Sequence, residues 1–261
     1  MLIRELKTNL KGLILWLVVS FAIFSIVFIV YPTIAVSNTE TINQLLELFP
    51  PEILKIFNMD IASISTVFGW FMSEGYTFIV LIAGIYAANL GATILAKEES
   101  DKTIEFLIAR PINRQQIINA KVVAGLINIT LLVVAIALFN GAGMYLSNEL
   151  DARYAVLSVL PLMSSYALFF LSLLATTFIN RPKRTSTIGI AFGLLFYFVQ
   201  LLSLMSNELD WLKYLTVYTL SEARTYIQTG QFEWVYIVVT IAFSVACYIG
   251  TSYLYHNKEL V

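Results

Sequence analysis

The groups able to do chemistry are few, and most are crowded into one stretch. Glu98 and Glu99 are adjacent carboxylates, with Asp101 and Glu105 close behind. Paired carboxylates can serve as acid and base, or hold a metal together with histidines. The chain has 1 His, His256, and 1 Cys, Cys247. A multi-histidine metal site is therefore excluded, and so is an internal disulfide. Cys247 and His256 fit a small membrane-buried residue and an interfacial side chain at the edge of the last span. Intramembrane proteolysis of the Glu-Glu-x-x-x-Arg kind would need arginine where Thr103 stands. No Gly-x-x-x-x-Gly-Lys-Ser/Thr phosphate loop occurs. If ATP drives this chain, a separate subunit must hydrolyse it.

The elements that carry these carboxylates lie between Lys97 and Lys121. Ile104, Leu107 and Ile108 share one face at helical spacing, with acid around it. That helix should stop near Arg110, because Pro111 disfavours helix in the residue before it. Asn113 can cap a second helix, with Gln116 in capping-box spacing. A bent connection with apolar anchors and a charged rim suits a groove on a partner protein. It can equally be a solvated loop whose apolar residues pack on neighbouring helix ends.

The rest of the chain is membrane material. Hydrophobic residues make up 59% and charged ones 13%, against roughly a quarter charged in soluble domains. Mean hydropathy is +0.80. Six apolar stretches, Leu13–Ala35, Gly75–Ala96, Val122–Tyr145, Tyr154–Ile179, Thr185–Ser206 and Trp234–Tyr255, each reach the ~20 residues a spanning helix needs. The expected fold is all-α: a single polytopic domain over residues 1–261, with six transmembrane helices. Nucleic-acid binding is not expected, since no concentrated basic surface is left over.

Charge orients the spans. With the N-terminus inside, the inner segments hold Arg4, Lys7, Lys11, Lys97, Lys102, Arg110, Arg114, Lys121, Arg181, Lys183, Arg184 and Lys258. The outer segments hold Lys55, Arg153, Lys213 and Arg224. This split favours both termini in the cytoplasm.

Residues 1–12 are amphipathic and fit an interfacial helix on membrane lipid, or the frayed start of span one. The outer loop 37–74 reads as two short helices, Thr41–Leu48 and Glu52–Phe57, split by Pro50-Pro51. A second outer loop, Asn207–Glu233, carries Trp211, Tyr214 and Tyr218, which fit interfacial anchoring.

No Lys, Arg, Asp or Glu is central in any span, which argues against a pump using a buried carboxylate. Tyr86, Asn89 and Thr93 share a face of span two and, with Gln200 of span five, could line a pathway or hydrogen-bond between helices. Gly189 and Gly193 form a Gly-x-x-x-Gly pattern that permits close backbone approach and a possible dimer seam.

The order Lys-Glu-Glu-x-x-x-Thr-x-Glu-Phe-Leu-x-x-Arg-Pro-x-x-Arg, ending on Lys121, resembles the loop of type-2 ATP-binding-cassette permeases of the exporter-like, six-span class. Glu98, Glu99, Thr103, Glu105, Leu107, Arg110, Pro111, Arg114 and Lys121 match; Lys102 stands where that family usually has Gly. Phe49-Pro50-Pro51-Glu52-Ile53-Leu54 is similar to a segment of one branch. The resemblance implies a coupling helix around Asp101–Arg110, seated on a separate ATPase subunit that binds ATP and Mg. It implies a second permease subunit, identical or related, with spans two and five near a central pathway. The chain itself would bind no cofactor and catalyse nothing. An exporter in a bacterial plasma membrane is expected, carrying an amphipathic peptide, antimicrobial or lipid-like compound. The alternative is an ATP-independent channel, or a scaffold docking a cytoplasmic regulator.

Overall fold

The structure is a computed structural model that describes residues 1–35, 48–50, 54, 66–97, 113–179, 184–223, 226–227, 230–231 and 233–257. Its regular elements are all helical: α1 (Leu2–Ala35), α2 (Val67–Trp70), α3 (Tyr76–Ile94), α4 (Arg114–Leu146), α5 (Tyr154–Leu157), α6 (Pro161–Thr177), α7 (Thr185–Met205) and α8 (Trp234–Asn257). Among the described residues there are 6 helical stretches long and apolar enough to cross a membrane. They are α1, α3, α4, α5 with α6, α7 and α8. The start of α1 and the end of α8 lie at the same end of the bundle, hereafter the terminal end.

The core sits between α3 and α6. Gly91 on α3 lies against the backbone of Phe169 on α6, and the missing Cβ is what lets the two helices approach. The Phe169 ring then covers Gly125 of α4, which draws the third helix in. By contrast α1, α7 and α8 expose most of their surface. An apolar face left open is ordinary where the solvent is lipid.

Three boundaries differ from expectation. First, α1 is unbroken from Leu2 to Ala35. Its length of about 50 Å exceeds the ~30 Å of hydrocarbon. Residues 1–12 run into span one without a break, and nothing at Gly12 interrupts the hydrogen-bond ladder. Second, the fourth span is not one helix from Tyr154. Pro161 has no N–H to donate, so α5 ends at Leu157 and α6 restarts with Pro161 in its first turn. Third, α2 and a π turn over Phe71–Gly75 run straight into α3, so the last part of the 37–74 loop is helix. Thr66 caps α2 by accepting from the Gly69 N–H at 3.0 Å, and Glu149 accepts from the Val67 N–H at 2.6 Å. The loop helices Thr41–Leu48 and Glu52–Phe57 lie outside the described residues, Leu48 and Leu54 apart.

The helix leading into span three is present: α4 starts after Asn113, and the Gln116 side chain accepts from the Asn113 N–H at 3.3 Å.

Candidate functional site at the terminal end and along α3 and α7

Lys97 and Asn113 are the described ends of the charged connection. Glu98, Glu99, Asp101, Thr103, Ile104, Glu105, Leu107, Ile108, Arg110 and Pro111 lie outside the described residues; Arg114 does not. What the structure shows is how the ends are anchored.

The anchor is Lys121. Its side chain is fully buried, 0% exposed, on the first part of α4. The ammonium meets the carboxylate of Glu5 on α1 at 3.3 Å and donates to the Ile94 carbonyl, the last residue of α3, at 2.7 Å. A lysine ammonium has three donors, and here one group ties three helices. The Ile94 carbonyl is one of the acceptors that a helix end leaves open, so α3 terminates on a cation, the sign its dipole favours. Nearby, Lys97 donates to the Thr8 carbonyl of α1 at 3.5 Å.

Arg114 makes a similar bond to the last span. It donates to the carbonyls of Tyr255 and His256, at 3.3 and 2.8 Å, at the end of α8. Gln115 donates to the Tyr248 hydroxyl at 2.6 Å, and Tyr248 donates to Asn119 at 2.6 Å. Both ends of the charged connection are thus bonded to α1 or α8. Sequence reasoning missed Glu5. Its one visible signal is being the sole acid among Arg4, Lys7 and Lys11.

The four residues expected along a pathway do not converge. Asn89 accepts from Ser186 of α7 at 2.8 Å, in a partly open position. Thr93 bonds back to its own helix at the Asn89 carbonyl, 2.8 Å away. Tyr86 turns the other way and packs edge-on against Trp16 of α1, ring centroids 5.8 Å apart. Gln200 accepts from Thr219, in the segment after α7, at 2.9 Å. Only Asn89 and Thr93 stay on the half-exposed strip of α3 that runs beside α7.

Gly189 and Gly193 pack against α3 of the same chain. A Cβ on Gly189 would come within 2.7 Å of the Asn89 Cα, and one on Gly193 within 2.9 Å of the Ile85 Cα. The close approach their spacing permits is used within the chain, α7 on α3. The outward face of α7 is instead large and apolar, including Leu194, Leu195 and Phe198.

The segment after α7 also departs from expectation. Trp211 and Tyr214 are exposed, as anchors should be, but Tyr218 is 2% exposed. Its ring fits where Gly84 of α3 has no Cβ, and its hydroxyl donates to the Gly193 carbonyl of α7 at 3.2 Å. The loop therefore wedges α3 and α7 together at the far end. Ser221, three residues on, donates to the Leu160 carbonyl at 2.7 Å, and its own carbonyl accepts from the Tyr76 hydroxyl at 2.6 Å.

A family model described as ABC-2 family transporter protein matches residues 1–260. No curated protein and no solved structure matches the chain.

Proposed function

The chain belongs to the ABC-2 transporter family, and on that premise we propose how it works. It is the membrane permease component of an ABC transporter, a multi-pass transport subunit rather than the ATPase. The proposal is that separate ATPase subunits, which hold ATP and Mg, seat on the connection 97–121. The terminal end then faces the cytoplasm of a bacterial cell, in line with the charge split.

The observation that carries this reading is the Lys121 junction. A push on the connection acts on the end of α3 and the start of α4. Through Lys121 it also reaches α1, and through Arg114 it reaches α8. One docking event can therefore bias four helices together. The requirement is that docked ATPases contact the two membrane states unequally.

Two such chains, or this chain and a related one, form the pathway beside the α3 and α7 strip. Asn89 and Ser186 supply polar contacts there, and the outward face of α7 supplies apolar ones. That mixture suits export of an amphipathic peptide, antimicrobial or lipid-like cargo.

The test is co-purification with a phosphate-loop ATPase encoded in an adjacent reading frame. Leu107→Asp and Glu99→Arg should each release the ATPase and abolish its stimulation by the permease. If both variants keep the partner and its coupled hydrolysis, the connection is not the docking site.

A further inference from the structure

On the opposite side of α6 from the Asn89 strip, α4 and α8 lean on α6 without closing over it. Between them runs a groove of about 480 Å³, within the usual range of small-ligand sites. Tyr166 and Phe170 of α6 form its floor; Val123 and Leu126 of α4 and Ile241 and Val245 of α8 form its walls. It opens sideways from helices that cross the membrane.

The groove is not only apolar. Asn119 and Tyr248 line one end of it. At the terminal end the groove is closed by polar groups. Tyr248 bonds Asn119 and Gln115. Arg114 lies on the same helix as Asn119, one to two turns closer to the terminal surface. From the surface inward the order is a cation, then amides and a phenol, then carbon.

That order matches the order of groups in a glycerophospholipid: phosphate, glycerol esters, acyl chain. We propose that this groove is a binding site for one phospholipid of the leaflet at the terminal end. The phosphate lies toward Arg114, the glycerol esters lie beside Asn119 and Tyr248, and an acyl chain covers Phe170 and Tyr166. Basic pockets between membrane helices bind anionic headgroups by the same logic. Each methylene shielded in the groove only replaces one lipid contact by another. Selectivity must therefore come from the polar end. The inference needs the membrane placement of the bundle, not the ATPase or the cargo.

The full chain is reconstituted in nanodiscs of phosphatidylethanolamine and phosphatidylglycerol. A trace of phosphatidylglycerol carrying a diazirine on its acyl chain is included, and labelled residues are mapped by peptide mass spectrometry. Labelling of Leu126, Ile241 and Val245 should exceed that of Leu194 and Phe198 on α7 by about tenfold, the ratio that about 1.4 kcal/mol of preference gives. Val245→Trp should abolish the groove signal and leave the α7 signal unchanged, which also reports that the variant is folded. Arg114→Gln should reduce the groove signal several-fold and leave the α7 signal unchanged. Equal labelling of both faces would overturn the proposal, as would equal labelling by a diacylglycerol probe without phosphate. A cross-link between two copies through the groove would overturn it too.

Discussion

Lys121 and Glu5, 116 residues apart in sequence, form an ion pair at 3.3 Å with both side chains out of solvent. The pair joins the projecting start of α1 to the start of α4, where the charged connection ends. A buried pair is weak evidence for net stability, but losing one partner strands the other charge. Its value here is geometric, since it holds α1, α3 and α4 in one arrangement.

Lys121→Met should destabilise the purified protein by about 3–5 kcal/mol, because Glu5 is left buried and unanswered. Glu5→Leu should do the same to Lys121. The double variant should recover much of the loss, with a coupling of about 0.5–3 kcal/mol. Thermal unfolding in one detergent gives the comparison. Losses in Tm that simply add would show that the two side chains act independently.

Two glycines should behave oppositely. Gly91→Ala places a methyl group against the Phe169 backbone, which cannot rotate away, so α3 and α6 must separate. Loss of monodisperse protein on size exclusion is expected. Gly12→Ala meets nothing within 4 Å and should stabilise α1 by up to about 1 kcal/mol through helix propensity. A well-behaved Gly91→Ala protein would mean that α3 and α6 are not in backbone contact.

Tyr218 should be a packing residue rather than a surface anchor. Tyr218→Ala should cost about 3–5 kcal/mol, as for other large buried aromatics, whereas Tyr218→Phe should cost only about 1 kcal/mol. Trp211→Ala, at an exposed position, is the contrast, and its Tm should move little. Equal effects of Tyr218→Ala and Trp211→Ala would place both residues at the surface.

The connection between α4 and α5 should carry a small acid-sensitive contribution. Asp151 takes a side-chain hydrogen bond from Arg153, which holds its carboxyl below the usual aspartate range against a lesser effect of burial. Arg153 also lies over the Phe68 ring, 4.9 Å from its centroid. A lowered folded-state pKa stabilises above the unfolded value and is lost as pH falls through the folded value. The loss should therefore begin below about pH 4. Both side chains are partly exposed, so it should stay under about 1 kcal/mol. The Tm difference between wild type and Asp151→Asn should shrink as pH drops below that point. A difference that is constant with pH would show that the charge is irrelevant.

Much of the fold was legible because membrane solvent leaves few options. A run of apolar residues must be helical and must be long enough, so composition and length alone placed six spans. Local stop and start signals worked where the backbone decides, as at Asn113 with Gln116. The break at Pro161 was missed because the apolar run continues through it, and hydropathy does not see a missing N–H. The continuity of residues 1–12 with span one was not legible, because amphipathicity does not say where a helix ends.

What the amino-acid order determined by itself is therefore the helical class, the number of crossings and the residues able to cap or break them, because those depend on neighbours along the chain. The tertiary structure alone decided which helix the glycines of α7 approach, that Tyr218 is a wedge, and that Glu5 meets Lys121. Those are contacts between side chains distant in sequence. In a chain whose helices are apolar on nearly every face, no periodicity marks which face another helix will claim.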